Sequence, residues 1–582
     1  MKILLIAINA KYIHSNPAVY SLRAYAGEWL APYIEIAEYT INNRKEEIIA
    51  DIFKRKPDVA AFSCYIWNWS MVSSIVAELP KIMKDMDIWL GGPEVSYNPD
   101  EVMEKNPMLS GIMTGEGEET FKELAEYYCS KEDLKIEGKN LDDISGIVYR
   151  NKFGEICHTP MRAPMDISKL PFLYSSLSSF ENRIIYYESS RGCPYRCSYC
   201  LSSIDKTVRL RDIETIKKEL QFFLDSKVRQ VKFVDRTFNC NREHARGIWE
   251  YLAEHDNGVT NFHFEIAADI LSEEDLTILA KLRPGLAQME IGVQTVNIAT
   301  LKEIRRNCDL SRLREVVGRI INNGNIHVHL DLIAGLPFED YESFIYSFNA
   351  VYEMRPHQFQ LGFLKVLKGS YMYEKSADYG IRYTDYPPYE VLSTKWISYE
   401  ELRILKQVEE MVEIYYNSNQ FTYTMPILRK AFPDAFTMYK ELSEFYHEGG
   451  YSLMTPSRIY RYQILLDYVM NSPRFAGNTE QPLLSEEIIR QVLTFDLYLR
   501  ENIKSRPDFA KDLSTYKQNI RNIHKEDQFT HIDVFDYSVW ETDEGLRCQR
   551  LDTPIMVKFD YRRRNPLTYE AEYTVIEIHN NK

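Results

Sequence analysis

Long apolar runs are missing from this 582-residue sequence, and none approaches the ~18 residues that mark a membrane-spanning helix. Long basic blocks are missing too. With 70 Lys and Arg against 85 Asp and Glu, the formal net charge is −15, a poor surface for displacing the counterions of bulk DNA or RNA. The densest basic cluster, RRRN at 562–565, reads as a solvated surface turn. There is no internal repeat and no low-complexity tract. A small-residue cleavage site is absent behind the opening MKILLIAINAKY, so that stretch reads as a buried first strand and the protein is expected in the cytoplasm. Cysteines number nine, an odd count that argues against a disulfide framework.

What is present is alternation. The chain is too long for one hydrophobic core, so two to four domains are expected. Strand-like runs at 2–8, 33–41, 58–66, 87–92 and 111–115 alternate with helical stretches, the last of them Glu118 to Cys129. That pattern predicts a parallel sheet covered on both faces, in the doubly wound manner. ISGIVYRNKFGEICHTP then reads as a small hairpin, followed by a Pro-punctuated connector. From Arg183 to about Lys365 six strands are expected, at 183–189, 230–235, 261–267, 286–294, 327–335 and 357–364. Six β/α units make a partial barrel, in which chemistry gathers at the carboxyl ends of the strands. After Thr384 the sequence turns mainly helical and Tyr-rich, ending in a pair of strands around TPIMVKFDYRRR and AEYTVIEI. The expected division is 1–135, 136–180, 181–384 and 385–582, and the fold class α/β.

Three of the cysteines fall within eight residues. RGCPYRCSYC places Cys193, Cys197 and Cys200 in C-x3-C-x2-C spacing directly after a strand. A structural zinc wants four ligands and electron-transfer clusters want four thiolates. The nearest other candidates are Cys157 and His158 upstream and Cys240 downstream. Three thiolates on a cubane leave one iron open to a small molecule.

This motif resembles that of the radical S-adenosylmethionine (SAM) superfamily, and the resemblance extends over the whole middle region. It implies a 4Fe–4S cluster on Cys193, Cys197 and Cys200, with SAM chelated at the open iron and cleaved to a 5′-deoxyadenosyl radical. It also implies SAM contacts from Tyr199, before the last cysteine, and from Asp235, Thr237 and Asn239 in FVDRTFN. Glu265, Gln294 and Gly335 (in DLIAGLPFED) follow at later strand ends. Independently of the resemblance, a carboxylate at a strand end can pair with an ammonium group, whereas Asp, Thr and Asn are also ordinary helix caps.

A doubly wound domain ahead of such a barrel resembles the cobalamin-binding class of the superfamily. SCYIWN, GGPEVS and GEGEETF each follow a strand, and the resemblance implies cobalamin contacts from Ser63, Tyr65, Gly91, Gly92, Pro93, Gly115 and Gly117. Glu116, Glu118 and Glu119 are assigned to helix capping. The Asp-x-His-x-x-Gly motif of base-off cobalamin domains is absent, and His14, the sole histidine in the first 150 residues, reads as a loop or substrate-side residue. The resemblance implies a small-molecule substrate, an electron donor such as flavodoxin or ferredoxin, and methylation of an unactivated carbon. A cobalamin-assisted cyclase or rearrangement enzyme is the alternative, and a non-enzymatic corrinoid or redox sensor another. A methylthiotransferase would need more N-terminal cysteines than Cys64 and Cys129. The C-terminal region resembles a helical extension found in a subgroup of these proteins, placed to cover the open barrel or to act as a packing module.

Overall fold

The structure is a computed structural model and describes residues 1–130, 140–174, 176–475, 485–523, 529–540 and 548–577. No helix among these residues is long and apolar enough to cross a membrane.

The front of the chain forms a seven-stranded sheet: β1 (Ile3–Asn9), β2 (Ile34–Thr40), β3 (Val59–Ser63), β4 (Asp87–Gly91), β5 (Gly111–Met113), β6 (Ile147–Arg150) and β7 (Ile156–His158). Its order is β2-β1-β3-β4-β5-β6-β7. The first five strands are parallel, with β1 (ILLIAIN) buried along its whole length, the continuous apolar pattern of a strand covered on both faces. The hairpin β6–β7 is not a separate unit. It continues this sheet antiparallel from β5, because Val148 and Tyr149 find their apolar partners there. The expected boundary at residue 135 lies outside the described residues.

The middle of the chain opens with β8 (Ile185–Tyr187). A two-residue ladder follows, β9 (Ser190–Arg191) against β10 (Arg209–Leu210). Strands β11 (Gln230–Phe233), β12 (Asn261–Ile266), β13 (Ala287–Gln294), β14 (His327–Ala334) and β15 (Gln358–Phe363) complete a six-stranded parallel sheet, order β15-β14-β13-β12-β11-β8. Helices cross between them, each set by local signals. Leu310–Asn323, for example, starts at Asp309, whose carboxylate accepts from the amides of Ser311 and Arg312, and stops at Gly324 in a left-handed conformation.

Both edges of this partial barrel are covered. On the β8 side the amide of Ile184 donates to the Ile13 carbonyl at 2.8 Å. On the β15 side the Asn417 amide group donates to the Phe359 carbonyl and its oxygen accepts from the Phe359 amide, both at 2.8 Å. One side chain thus stands in for a missing strand.

After the barrel comes a short ribbon, β16 (Arg382–Tyr383) with β17 (Val391–Ser393). Helices Tyr399–Val412, Ala435–Glu448, Arg458–Asn471 and Glu486–Arg500 build the C-terminal region. It ends in three antiparallel strands where a pair was expected: β18 (Thr530–Tyr537), β19 (Arg550–Arg564) and β20 (Ala571–Glu577). The extra strand, β18, is disguised by Asp533 and Asp536, whose charges are taken up by Arg506 and Lys511 from far along the chain. The tyrosines of this region are interior: Tyr415, Tyr439, Tyr446, Tyr462 and Tyr498 are fully buried.

Candidate functional site

The ladder β9–β10 frames a loop carrying Cys193, Cys197 and Cys200 beyond the carboxyl end of β8. The first two are buried and the third half-buried, and all are free thiols. Gly192 opens the loop with φ +97, and a Cβ there would collide with the Thr207 carbonyl, so only glycine serves. Backbone bonds pin the loop from Cys193 N to Asp205 O (3.3 Å), Ser198 N to Ile304 O (2.9 Å) and Met372 N to Ser198 O (2.8 Å). Burial pushes the Cys197 thiol up, opposed by the Arg306 guanidinium 3.8 Å from its sulfur. Arg306 itself is held by the Gly292 carbonyl. Three sulfurs with a guanidinium beside them suit an anionic iron–sulfur cluster. Among the described residues no three His, Cys, Asp or Glu are gathered to hold one metal ion; a cubane instead takes each thiolate on a separate iron.

Beside the loop lies a polar cavity of about 210 Å³, over the carboxyl ends of the barrel strands. Thr237, Glu265 and Gln294 line it, together with Arg236, Arg306 and Asp331. Burial raises the Glu265 carboxyl and pushes Asp331 up to about 8, the latter helped by the charges of Glu290 and Glu265. Among the described residues the buried Asp331 Oδ1 has no hydrogen-bond partner. Glu290 goes the other way, to about 2, held by His263 at 3.0 Å and by Lys232. Gln294 follows a β-bulge on β13 and sits at φ +72, rare for a residue with a side chain.

Of the expected SAM contacts, Thr237, Glu265 and Gln294 share this cavity. Asp235 and Asn239 are not among its lining residues. Asp235 is buried and spent on Ser189 and Ser190, accepting from the Ser189 amide and from both hydroxyls, which still leaves burial pushing it up to about 6. Asn239 bridges the amide and carbonyl of Ala267 at 2.9 and 2.7 Å, locking the end of β12. Tyr199 packs against the barrel core. Gly335, at φ +86, faces Val391, whose Cγ1 would lie 2.7 Å from a Cβ. Sequence reasoning missed Arg236, Arg306, Asp331 and Glu290. The signal was there: strands covered on both faces should read as apolar throughout, yet Lys232, His263, Glu265, Glu290, His329 and Asp331 alternate along β11 to β14.

The front sheet turns its carboxyl edge to this region. Ser63 ends β3 and accepts from Asn16 at 3.2 Å. Tyr65 stacks on Trp67 with ring centres 4.3 Å apart and lines a second cavity of about 200 Å³, shared with Tyr186 and Arg191 of the barrel. Gly92, at φ +110, lies so close to Cys64 that a Cβ would meet its carbonyl at 2.5 Å. Gly91 ends β4, and Pro93 starts the helical turn Pro93–Ser96. Gly115 (φ +75) has open space around its Cα, whereas Gly117 abuts Leu22.

Glu118 and Glu119 do stand in the first turn of helix Glu118–Ser130, and the glutamates of this segment have further partners. Glu116 pairs with Arg209 at 2.7 Å and Glu118 with Arg191 at 2.8 Å, both ion pairs to the barrel. Glu119 instead holds Arg162. Glu38 reaches Arg183 at 2.7 Å, and His14 bonds the Tyr186 hydroxyl at 2.6 Å. Glu118 and Glu119 sit where a helix start favours acids, and a guanidinium supplies each with a strong partner.

Comparison with known proteins matches three stretches of the chain. The model for the radical SAM superfamily matches residues 187–351 and that for the B12 binding domain residues 3–125. The middle of the chain carries a radical SAM domain. A B12-binding domain lies ahead of it, and a family described as a protein of unknown function (DUF4080) matches residues 377–553. A 2-(S-pantetheinyl)-carbapenam-3-carboxylate methyltransferase of Streptantibioticus cattleyicolor is 24% identical over 495 residues, 79% of this chain and 68% of that protein. An anaerobic magnesium-protoporphyrin IX monomethyl ester cyclase of Synechocystis is 24% identical over 44% of this chain and 51% of its own length. Among solved structures, OxsB, a cobalamin-dependent SAM radical enzyme with aqua-cobalamin and SAM bound, shares the fold at TM-score 0.56. It is 17% identical and covers 85% of this chain and 78% of that one.

Proposed function

We propose that this radical SAM protein is a cobalamin-dependent methyltransferase that methylates an unactivated carbon of a small molecule. The observation that carries the reading is the cysteine loop lying beside a half-open polar cavity, with the strand ends of a B12-binding domain packed alongside. Cys193, Cys197 and Cys200 would hold the 4Fe–4S cluster. When bound, cluster and SAM supply a carbon-centred radical, and cobalamin supplies the methyl group. The protein's part is orientation and protection. Arg306 offsets the negative charge gathered at the thiolates. Glu265, Gln294 and Thr237 present hydrogen-bonding groups to a ribose or an amino-acid end, and Asp331, neutral below about pH 8, presents a donor as well as an acceptor. For cobalamin, Gly91 and Gly92 keep the end of β4 free of side chains, and the Tyr65–Trp67 stack offers an aromatic face. Methyl transfer is favoured over ring closure because the similarity to the carbapenam methyltransferase spans 79% of the chain, and that to the cyclase 44%.

Product ratio tests the reading. Anaerobically reconstituted protein given its substrate is expected to form S-adenosylhomocysteine and 5′-deoxyadenosine in equal amounts. 5′-Deoxyadenosine without S-adenosylhomocysteine would favour the cyclase or rearrangement. Replacing the three cysteines with alanine should abolish iron and sulfide binding as well as SAM cleavage, and retained cleavage would remove the assignment.

A further inference from the structure

The turn that follows β11 stands between the two cavities: Val234 lines the interdomain one, and Arg236 and Thr237 line the polar one. Asp235 and Thr237 are buried, which leaves Arg236 as the exposed side chain between them. Its charge is felt on both sides. Burial raises the Tyr65 phenol in the front domain, and Ser63 and Arg236 oppose the rise. Burial likewise raises the Glu265 carboxyl in the barrel, again opposed by Arg236. Yet the guanidinium is uncommitted, for among the described residues no ion pair or hydrogen bond holds it. The other arginines lining the two cavities are engaged: Arg191 with Glu118, Arg211 with Glu219, and Arg306 with the Gly292 carbonyl. The acids of the polar cavity do not claim Arg236 either. Glu290 is held by His263 and Lys232, and Asp269 accepts the Asp309 amide at 3.1 Å. Burial pushes Asp331 up to about 8.

We propose that Arg236 receives a carboxylate of the substrate and so makes the methyl acceptor a carboxylic acid. The proposal rests on the methyltransferase reading. There the acceptor must reach both the radical arising in the polar cavity and the methyl group arriving from the front domain, and Arg236 stands at that divide. A guanidinium offers a planar fork that matches a carboxylate with two parallel hydrogen bonds. A monoanion suits the place better than a phosphate, because Glu265, Asp269 and Glu290 line the same cavity and would repel a second negative charge.

The test uses the protein reconstituted with cluster, cobalamin and SAM but given no reductant, unchanged or as Arg236→Gln or Arg236→Lys. Phenylacetate and phenylacetamide are the probes. They share a shape and differ in charge, and their ring suits an interdomain cavity lined by Tyr65 and Tyr186. Calorimetric titration should show the unchanged protein binding phenylacetate at least about tenfold more tightly than phenylacetamide. Arg236→Gln should bring the two Kd values together, and Arg236→Lys should restore part of the gap. No saturable binding of phenylacetate to the unchanged protein, no preference for it, or a preference that survives in Arg236→Gln would overturn the proposal. SAM and cobalamin carry a carboxylate and a phosphate of their own, so their Kd values are measured in the same variants. A loss for either cofactor as large as that for phenylacetate would assign the guanidinium to that cofactor and overturn the proposal too. Failure of the methyltransferase reading looks different: turnover gives 5′-deoxyadenosine without S-adenosylhomocysteine, while the preference for phenylacetate and its loss in Arg236→Gln persist.

Discussion

Asp331 is the residue where the site's chemistry and its cost meet. Its carboxyl is buried, one oxygen lacks a partner, and its pKa stands at about 8 against an ordinary value near 4. Between those two values the unfolded chain releases a proton that the folded chain keeps, so stability contributed below the lower value is lost as pH rises through the upper one. Asp331→Asn should therefore raise the unfolding free energy of the SAM-free protein, measured in urea at pH 8, by on the order of 1–3 kcal/mol, and leave it nearly unchanged at pH 4. Equal stabilisation at both pH values would mean that ionisation is not what the aspartate costs. Residues of this kind were only partly legible in the sequence. Cys193, Cys197 and Cys200 announce themselves because their spacing is local. Glu265 and Gln294 stand out as polar ends of apolar strands. Arg306 sits in an ordinary-looking IRRNCD turn, and only the fold brings it within 3.8 Å of Cys197. Asp235 shows the converse, since it stands beyond a strand end as expected while Ser189 and Ser190 already donate to its oxygens.

At the scale of elements, strands announced themselves better than what closes them. The eleven strands expected up to Leu364, hairpin aside, all form, because β-branched and aromatic runs between turn residues are a local signal. That β6–β7 would join the front sheet, and that β18 would form around two aspartates, depended on partners remote in sequence. The edge of β15 is the clearest case. Its cover is Asn417, in the π-helical turn Glu413–Asn417, where a side-chain amide mimics a peptide group. Asn417→Ala should cost about 1–3 kcal/mol in urea unfolding, as two hydrogen bonds to a half-buried strand are lost. It should also speed amide exchange at Phe359 more than at β13; uniform exchange would argue that the edge is held by apolar packing alone. The tyrosines of the C-terminal helices, by contrast, fill that region's own core, and its composition was no guide to the cavity.

For the whole molecule, the front domain is fastened to the barrel by charge. Glu38, Glu116 and Glu118 meet Arg183, Arg209 and Arg191 across the interface, and Glu94 is buried against the Tyr389 hydroxyl near Lys368. Breaking one such partly buried pair leaves its partner unsatisfied. Arg191→Met should loosen the front domain, seen as a larger radius of gyration by X-ray scattering at moderate salt, without unfolding either sheet. The same variant should surrender its iron to a chelator faster than the unchanged protein, and equal release rates would separate the two events. Arg191 stands two residues before Cys193 in the tight run Arg191–Gly192–Cys193. If the loop holds the cluster as proposed, the bolt that fastens the B12-binding domain is threaded into the rim of the iron's seat, and a jolt to one housing would carry to the other.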